Sequence, residues 1–312
     1  MSDLNNLVWE HKYRPKVIED TILPEVTKKM LREIITSGNT PNFLFHGTSG
    51  TGKTTVAKAI ASELGADFLF INASLDGNID MLRTTITQFV STVSFTDSKK
   101  IVLLDEADFL TSSTQPALRG FLDEFSKNAI FILTCNIKSK IIPALQSRLT
   151  TIEFKFSKEE KQSGAMQMLK RSCQILDTEN IKYDKKAVAA VVSKNFPDFR
   201  KTLVQLQRYS SSGEIDSGIV VGESDNNMSE LFTAIKGKDF TTCRKWIANN
   251  SMDSATFYRS LYDKMLPELV PQCVPQTILH IARFEHESTF SVDPEINQIA
   301  AIINIMSGVS FK

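Results

Sequence analysis

The stretch FHGTSGTGKTTVAKAI, residues 45 to 60, crowds glycines and hydroxyl residues directly ahead of a helix-forming run. Residues 47 to 54 within it fit the spacing G-x-x-x-x-G-K-[ST], after the apolar run FLFH and before KTTVAKAIASEL. Because no bulky side chains intervene, the backbone N–H groups of such a loop can surround phosphates, and the positive end of the helix dipole points at the same charge. The pattern predicts a phosphate loop in which Lys53 reaches the β- and γ-phosphates of a nucleotide and Thr54 holds Mg²⁺.

A pair of carboxylates follows another apolar run. The segment IVLLDEAD, residues 101 to 108, places Asp105 and Glu106 after four apolar residues. Asp105 is expected to bind the Mg²⁺ shell, and Glu106 is expected to polarise the attacking water as general base. A solvated acidic strand end is the alternative for this pair taken alone. Beside a phosphate loop, the presence of both carboxylates favours nucleotide hydrolysis over nucleotide storage.

Two further polar residues are candidates for the site, one at the end of the run AIFILTCN and one beyond it. Asn136 ends this run, at the edge where a parallel sheet directs its strand ends into a ligand crevice. Its amide is suited to orient the lytic water; an Asn that caps a strand or opens a turn is the alternative. Arg148 follows the proline-started turn in IIPALQSRL. An arginine outside a phosphate loop is commonly a surface charge, and the functional alternative is a finger that stabilises transition-state charge.

Short apolar, aromatic or β-branched runs alternate with helix-like segments through the first half of the chain. The strand-like runs are residues 43–46, 68–71, 101–104 and 130–134. The helices between them are expected at residues 53–64, 78–92 and 114–126. This βαβ alternation is typical of a parallel sheet that is covered on both faces, so we predict an α/β fold for this part of the chain.

Beyond Phe154 the strand signal disappears. Apolar residues recur at helical spacing in SKEEKQSGAMQMLKRSCQIL, KKAVAAVVSKNF and DFRKTLVQLQRYS, which predicts a small helical domain. The polar, glycine- and serine-rich stretch 210–227 is the best candidate for a linker, and the remainder predicts further helices that are interrupted near Pro267, Pro271 and Pro275.

The composition is that of a soluble globular protein. The 312 residues are 42% hydrophobic and 23% charged, which suits two or three compact units, and no apolar run approaches the roughly 18 residues of a membrane span. The 36 basic and 36 acidic residues cancel, so contact with nucleic acid would depend on a local patch. Four scattered cysteines and an N-terminus without an apolar core predict a reduced, cytoplasmic protein with no zinc site.

Box by box, the chain resembles an ATPase subunit of a sliding-clamp loader, in the replication factor C and bacterial clamp-loader branch of the AAA+ family. The segment WEHKYRP (9–15) resembles the W-x-x-K-Y-R-P box, GTSGTGKT the Walker A box and LLDEAD the Walker B box. The A-Q-x-A-L-R-R-x-M-E helix of the family resembles TQPALRGFLDE, and its first sensor strand resembles LTCN. The S-R-C box is similar to QSRL, and the second sensor helix is similar to FPDFRKTLVQLQ. The resemblance covers residues 8 to 207, and KNFPDFRKT and YSSSG are similar to the large subunit of T4-type bacteriophage clamp loaders.

The chain departs from the family pattern at two places. Leu149 stands where the S-R-C box has its cysteine, and Pro197-Asp198 stands where the second sensor helix has Gly-Asp. The cysteine packs whereas the arginine acts, so Leu149 is expected to be harmless. Pro197 is expected in the first turn of the helix, because its fixed φ favours that position.

The resemblance implies an AAA+ P-loop ATPase domain with a parallel sheet (1–155), then a small helical lid domain (156–222) and an all-α collar domain for oligomerisation (223–312). It implies ATP and Mg²⁺ as cofactors. The residues that match the family's nucleotide site are Glu10, His11, Lys12, Tyr13, Ile22, Gly50, Thr51, Gly52, Lys53, Thr54, Thr55 and Arg200, with Thr54 and Asp105 at the metal. The residues that match its catalytic positions are Glu106, Asn136, Arg148 and Arg200.

Five of these residues carry specific expectations. Glu10, Tyr13 and Ile22 would line the base and ribose of the nucleotide; an ordinary packed aromatic cluster with snorkelling cations is the alternative. Arg200 would contact the γ-phosphate of its own subunit's ATP from the lid. Arg148 would enter the site of a neighbouring subunit across a ring interface.

The resemblance also implies partners. They are copies of the chain together with a different clamp-loader subunit in a five-membered ring, a sliding clamp, and the phosphate backbone of primer–template DNA, with no membrane. By position Arg83 and Arg119 are the best DNA-contacting residues; Arg83 also fits a solvated helix charge, and Arg119 also fits a relay between the DNA and ATP sites. Phe109 and Leu110 suit a contact with the clamp or an ordinary core. For a phage protein the location would be the host cell cytoplasm.

The main hypothesis is a DNA- and clamp-stimulated ATPase that opens a ring clamp and releases it on primed DNA during replication. Another AAA+ remodeller, such as a branch-migration motor, is disfavoured by the WEHKYRP and QSRL boxes. A nucleotide-binding scaffold subunit that never hydrolyses belongs to a different class. The simultaneous presence of the residues expected to bind and hydrolyse ATP disfavours it.

Overall fold

The computed structural model describes residues 8–75, 79–92, 100–111, 113–211, 213–216, 225–250 and 252–311, and the chain divides into two compact units, residues 1–216 and 217–312. The first unit contains a five-stranded parallel sheet, and the described part of the second unit consists of helices with one isolated β-bridge. The predicted parallel α/β fold is confirmed. The division into three domains at 1–155, 156–222 and 223–312 stays a prediction.

The first half of the first unit supplies the loop and the acids of the predicted site. Its elements are α1 (Trp9–Lys12), a 3-10 turn (Ile18–Asp20), α2 (Glu25–Thr36), β1 (Phe43–His46), α3 (Lys53–Glu63), β2 (Asp67–Asn72), α4 (Ile79–Ser91) and β3 (Lys100–Asp105). The second half continues with a 3-10 turn (Ala107–Phe109), α5 (Thr114–Glu124), β4 (Ala129–Cys135), a 3-10 turn (Lys138–Lys140), α6 (Pro143–Gln146), β5 (Thr150–Glu153), α7 (Lys158–Thr178), β6 (Lys182–Tyr183), α8 (Lys185–Asn195), α9 (Phe199–Ser210) and β7 (Glu214–Ile215).

The predicted strands and helices between residues 43 and 135 are present, with ends that differ by at most two residues. The prediction that strands cease after Phe154 is wrong, because β6 and β7 form a small parallel pair there. Each has only two residues, which is too short to produce a periodic pattern in the sequence. Strand β5, with the sequence TTIE, was not predicted because its residues are mostly polar.

The order of the strands brings two distant segments together. The sheet has the order β2-β3-β4-β1-β5, and each adjacent pair is parallel. Asn72 lies opposite Asp105, and His46 lies opposite Cys135, so the carboxyl ends of four strands reach the same edge. The glycine-rich loop that follows β1 and the acids that follow β3 therefore meet at this edge, on either side of β4.

Alternation along the strands divides the core of the first unit into two layers. Ile101 and Leu103 of β3 pack in a cluster with buried residues of α2 and α3, whereas Val102 and Leu104 pack in a cluster with α4 and α5. Successive strand residues point to opposite faces of a sheet, so near-continuous apolar strands require helices on both sides. This burial holds the strand ends, and the polar residues that follow them, in fixed positions.

The helices after the sheet begin with clear capping signals. Ser157 and Glu160 form a reciprocal capping box at the start of α7. Asp198 caps α9, since its carboxylate accepts a hydrogen bond of 2.8 Å from the N–H of Lys201. The expectation that Pro197 occupies the first turn of α9 is wrong, because Asp198 takes the cap position and the helix begins at Phe199.

Three aromatic rings fix the start of α9 relative to the end of the sheet. Phe156 and Phe196 have ring centroids 4.9 Å apart, and Phe199 lies 5.9 Å from Phe196. Gly164 of α7 faces this cluster, so that a Cβ there would meet Phe196 Cζ at 2.7 Å and Phe156 Cε1 at 2.8 Å. The close approach of helix and rings therefore depends on this glycine.

The second unit is built around its own apolar core. Its helices are α10 (Asp225–Lys236), α11 (Phe240–Asn249), α12 (Ser254–Met265), α13 (Val274–Ser288) and α14 (Pro294–Gly308), with 3-10 turns at Leu266–Glu268 and Pro271–Cys273. These turns are the interruptions that the prolines predicted. The Tyr258 hydroxyl is buried and donates a hydrogen bond to the side chain of Asn297. The predicted linker, 210–227, lies partly outside the described residues.

Leu149 lies in the core next to the sheet, as expected for the residue that replaces the cysteine of the S-R-C box. None of the described helices combines the length and the apolar character that crossing a membrane requires.

Two glycines in helices allow a matched test of this packing. Replacing Gly164 by Ala improves the helix propensity by roughly 0.5–1 kcal/mol, whereas overpacking a core costs about 1–3 kcal/mol. We therefore expect Gly164→Ala to lower the free energy of unfolding of the first unit. A Cβ at Gly120 of α5 would have no neighbouring side chain within 4 Å, so Gly120→Ala should raise the free energy of unfolding by about 0.5–1 kcal/mol. Urea unfolding followed by circular dichroism measures both, and equal shifts of the same sign would contradict the packing argument.

Candidate nucleotide site

A cavity of roughly 420 Å³ lies in the first unit at the carboxyl edge of the sheet. It is bounded by the segment around α1, the glycine-rich loop, the ends of β3 and β4, and helices α7 and α9. The predicted site residues that line it are Glu10, His11, Tyr13, Ile22, Gly50, Thr51, Gly52, Lys53, Thr54, Thr55, Asp105, Glu106, Asn136 and Arg200. Lys12 and Arg148 are not among the described residues that line it.

The glycine-rich loop adopts a backbone that ordinary side chains disfavour. Gly50 has a φ of +77° and Gly52, which precedes the first residue of α3, has a φ of +91°. A Cβ at Gly50 would also lie 1.9 Å from Asp198 Oδ1, and the Gly50 carbonyl accepts a hydrogen bond of 2.9 Å from the N–H of Phe199. Glycine is therefore required at this position both by the backbone and by the contact with the start of α9.

Lys53 places a buried cation in the loop. Its ammonium donates hydrogen bonds to the carbonyls of Gly47 (2.7 Å) and Thr48 (2.8 Å), and to Oδ1 of Asn136 (3.0 Å). Burial lowers the pKa of Lys53, although Asp105, among other neighbours, acts to raise it. Because desolvation disfavours the charged form, an anion bound in the loop would stabilise this ammonium. Phosphates carry the negative charge that this requires.

Thr54 and Asp105 fit a divalent cation. The Thr54 hydroxyl donates a hydrogen bond of 2.6 Å to Oδ1 of Asp105. Since its proton points to the carboxylate, the hydroxyl oxygen retains lone pairs that can coordinate a metal. Hydroxyl and carboxylate oxygens are the hard ligands that Mg²⁺ prefers. These residues therefore fit Mg²⁺ by the chemistry of their donors.

Glu106 is held in an unusual backbone conformation beside Asp105. Its φ is +57°, in the left-handed region where residues other than glycine are uncommon. Its N–H donates a hydrogen bond of 3.1 Å to Oγ1 of Thr134. Glu106 lines the same cavity as the glycine-rich loop. Unusual backbone conformations of this kind recur at functional sites.

The sequence prediction missed two residues that hold this edge together. The Thr134 hydroxyl donates a hydrogen bond of 2.6 Å to Oδ1 of Asp105, and Oδ2 of Asp108 accepts one of 3.3 Å from the N–H of Asn136. A threonine within the run AIFILTC also has the ordinary β-branched preference for a strand, so its role was not separable from propensity. Asp108 was missed because Asp105 and Glu106, in the same segment, already accounted for the two expected carboxylates.

Asn136 joins the end of β4 to the glycine-rich loop. Its side-chain oxygen accepts from Lys53, and its N–H donates to Asp108. The neighbouring Cys135 is buried, and this burial raises the pKa of its thiol to about 11. At neutral pH Cys135 therefore stays a thiol rather than a thiolate nucleophile. Asn136 lines the cavity together with Thr134 of the same strand end.

The segment around α1 is bonded to helices α7 and α9. The Arg200 guanidinium donates a hydrogen bond of 2.7 Å from Nε to Oε1 of Glu10, and the N–H of Trp9 donates to the side chain of Gln207 at 3.0 Å. Lys12 pairs with Glu179 at 2.6 Å, which explains why it does not line the cavity. Glu10 and Arg200 thus meet at the mouth of the cavity, with Glu10 on the N-terminal segment and Arg200 on α9.

Arg148 lies apart from the cavity of its own chain. Its Nε contacts Asp123 Oδ1 at 2.8 Å and Oδ2 at 3.1 Å, and its Nη1 donates to the carbonyl of Ala144 at 3.0 Å. The hydrogen bond from Arg148 lowers the pKa of Asp123. The arginine side chain is 29% exposed. The guanidinium is therefore held at the surface by a carboxylate of α5.

The residues predicted to contact DNA and the clamp divide by exposure. Arg83 on α4 and Arg119 on α5 are both exposed. Phe109 is 57% exposed, with the ammonium of Lys140 5.6 Å from its ring centroid, whereas Leu110 is 5% exposed and lies in the core. Of the two apolar residues, only Phe109 offers a side chain to a partner.

Known families match most of the chain. The family model described as "ATPase family associated with various cellular activities (AAA)" matches residues 43–157, and the one described as "Sliding-clamp-loader large subunit, AAA+ ATPase lid domain" matches residues 160–221. The sliding-clamp-loader large subunit of Escherichia phage RB69 is 38% identical over 270 residues, which cover 83% of this chain and 84% of the relative. The replication factor C small subunit of Saccharolobus solfataricus is 36% identical over 218 residues, which cover 68% of this chain and 64% of the relative.

One solved structure shares the fold, and a further relative is similar in sequence. The RuvB Holliday junction branch migration motor of Thermotoga maritima superimposes with a TM-score of 0.56 over 72% of this chain and 79% of its own, but at 17% identity it shows a shared fold alone. The sliding-clamp-loader large subunit of Enterobacteria phage T4 is 37% identical over 271 residues, which cover 84% of this chain and 85% of the relative. The chain therefore belongs to the sliding-clamp-loader large subunits, and its first unit is an ATPase of the AAA family.

Proposed function

We propose that this chain is the ATP-hydrolysing subunit of a DNA polymerase clamp loader. It binds ATP with Mg²⁺, opens a ring-shaped sliding clamp, binds primer–template DNA and releases the clamp on DNA when ATP is hydrolysed. The observation that carries the proposal is the convergence of the glycine-rich loop, Lys53, the Thr54–Asp105 pair, Glu106 and Asn136 on one cavity. A scaffold that only binds nucleotide has no need of the second carboxylate.

The residues of the cavity have distinct roles in this proposal. The N–H groups of the loop and the Lys53 ammonium hold the β- and γ-phosphates, while Thr54 and Asp105 hold the metal. When bound, Mg²⁺ neutralises charge that develops on the phosphate oxygens. The Glu106 carboxylate accepts a proton from the attacking water as general base, and the Asn136 amide orients that water. Thr51, Gly52 and Thr55 complete the phosphate cradle.

The mouth of the cavity would bind the rest of the nucleotide. Glu10, Tyr13 and Ile22 line it on the side of α1, where they are suited to contact the base and ribose, and His11 lies beside them. Arg200 is positioned by Glu10 at the start of α9, from which its guanidinium contacts the γ-phosphate. Because α9 also touches Gly50 through the N–H of Phe199, binding of phosphates and the position of this helix are coupled.

We propose that Arg148 acts on a neighbouring subunit. Its partly exposed position and its absence from the cavity lining of its own chain support a role in trans. The pair with Asp123 is solvent-exposed and therefore weak, so the guanidinium can exchange this carboxylate for a more highly charged phosphate. A subunit outside the ring would then lack the cation that stabilises the transition state at its own site.

The remaining partners follow from the family. We propose a five-membered ring of several copies of this chain with one different subunit, in which residues 223–312 form the collar. Arg83 and Arg119 would contact phosphates of primer–template DNA, which selects structure rather than sequence. Phe109 would contact the sliding clamp. The setting would be the cytoplasm of a host cell.

The first prediction from the proposed function concerns the stimulation of ATP turnover. ATP turnover by the loader assembled from this chain and its companion subunit should increase when the sliding clamp and primed DNA are added together. A phosphate-release assay with neither addition, with each alone and with both measures the effect. Equal rates under all four conditions would remove the loader function. An assembly that binds ATP but shows no turnover under any condition would instead support a scaffold.

The second prediction concerns the general base. Glu106→Gln preserves the size of the side chain but removes the proton acceptor, so stimulated turnover should fall by about 10²- to 10⁴-fold while ATP affinity stays the same. Turnover and equilibrium nucleotide binding would be measured on the same preparation. Glu159→Gln, at an exposed position in the first turn of α7, is the matched control and should leave both unchanged. Turnover that survives in Glu106→Gln would show that another group is the base.

The third prediction concerns the trans arginine. Arg148→Ala should leave ATP affinity near normal and reduce stimulated turnover by about 10³- to 10⁵-fold, because it removes a cation from the neighbouring site. Arg259→Ala removes a more exposed guanidinium that also pairs with an aspartate, Asp263 on the same helix, and serves as the control. A large loss of ATP binding in Arg148→Ala, with turnover per bound ATP intact, would contradict the trans role.

A further inference from the structure

Thr134 contacts both acids of the proposed site through one hydroxyl group. It is located on β4, is 2% exposed, and lies between the apolar strand interior and the cavity. Its Oγ1 donates a hydrogen bond of 2.6 Å to Oδ1 of Asp105 and accepts one of 3.1 Å from the N–H of Glu106. A hydroxyl can donate and accept at the same time, which neither an apolar side chain of the same shape nor a carbonyl can do.

The first of these bonds orients Asp105. Both the Thr54 and Thr134 hydroxyls donate to Oδ1 at 2.6 Å, one from α3 and one from β4. Two donors from different elements fix the plane of the carboxylate. Among the described residues no hydrogen-bond donor reaches Oδ2, so this oxygen is available to a cation or to water in a cation's shell. Without Thr134, Asp105 would be held by Thr54 alone.

The second bond orients Glu106. With a φ of +57°, its backbone is in a region that residues other than glycine rarely occupy, and the direction of its side chain depends on that conformation. Its N–H is satisfied by Thr134. Loss of the hydroxyl would leave this N–H without its partner and free the backbone to return to a commoner conformation. The general base would then lose its alignment with the metal-binding carboxylate.

We propose that Thr134 is a positioning residue that locks the metal-binding Asp105 and the general base Glu106 into one fixed arrangement. This inference rests on the proposed function, because it assigns the hydroxyl a role in the same ATPase site. A buried hydroxyl that only contributes to stability would lower the amount of folded protein without changing how folded protein responds to Mg²⁺. The two roles therefore differ in a measurable property.

The test compares Thr134→Val, which keeps the shape but removes the hydroxyl, with Thr134→Ser, which keeps the hydroxyl. On the full chain, equilibrium binding of a fluorescent ATP analogue is measured in EDTA and then as a function of Mg²⁺ concentration. Hydrolysis at saturating ATP and Mg²⁺ is measured on the assembled loader. Thr277→Val is the matched control, since Thr277 is equally buried and its hydroxyl donates to a backbone carbonyl in the second unit.

Thr134→Val should bind the analogue in EDTA as wild type does, because Lys53 and the loop are unchanged. It should need about 10-fold more Mg²⁺ for half of the metal-dependent effect and should lose about 10- to 100-fold in turnover, the usual effect of removing a group that orients a metal ligand. Thr134→Ser should restore both properties, and Thr277→Val should change neither. If Thr134→Val folds poorly, Thr134→Ala provides the same comparison, with the folded fraction measured by unfolding.

Three outcomes would overturn the proposal. The first is a Thr134→Val or Thr134→Ala variant with wild-type Mg²⁺ dependence and turnover. The second is a Thr134→Ser variant that is as impaired as Thr134→Val. The third is a loss of analogue binding in EDTA that is as large as the loss in the presence of Mg²⁺. Failure of the wild-type chain to bind or hydrolyse ATP would contradict the proposed function itself. It is therefore distinguishable from failure of this inference.

Discussion

The buried ammonium of Lys53 is the charge on which the arrangement of the first unit depends. The residue is only 8% exposed, and its nitrogen is bonded to two loop carbonyls and to the Asn136 side chain. Removing a cation from water is costly unless opposite charge or hydrogen bonds compensate. The loop carbonyls and the carboxylates after β3 compensate in part, and a triphosphate would add the remaining negative charge. The same ammonium thus links the stability of the loop to nucleotide binding.

The parallel sheet makes this arrangement possible because it brings together residues that are far apart in the chain. Strand β4 lies between β1 and β3, so Thr134 and Asn136 can contact both the loop and the acids. Helices on both faces bury the strands, so the polar residues of the site lie at the strand ends. On the other side of the cavity, the Asp198 carboxylate lies against Gly50, and Glu10 binds Arg200. The phosphate loop is therefore in contact with β4 through Asn136 and with the start of α9.

The sequence predicted much of this unit because its strongest signals are local. The loop from Gly47 to Thr54 and the acids after β3 have fixed spacings, and apolar strands alternate with helices at regular intervals. The sequence could not predict β6 and β7, since two-residue strands carry no periodicity, or the cap position of Asp198, which displaced Pro197 from the first turn. Thr134 was missed for another reason: its hydrogen bonds join residues on different strands, whereas its type alone fits any strand. The partner of Lys12, Glu179 just after α7, is equally non-local.

The position of Arg148 has a consequence for regulation. Each chain carries, in the proposed mechanism, a complete set of groups to bind ATP but holds its transition-state arginine on a different surface, paired with Asp123. An ion pair at the surface is weak, so Arg148 can leave Asp123 and bind a phosphate of a neighbouring subunit. Hydrolysis then requires two chains in the correct relative position. In the proposed mechanism, a ligand that brings neighbouring subunits together, such as a clamp or a DNA duplex within the ring, would control turnover without touching the nucleotide, because it would change the distance between one subunit's arginine and the next subunit's phosphates.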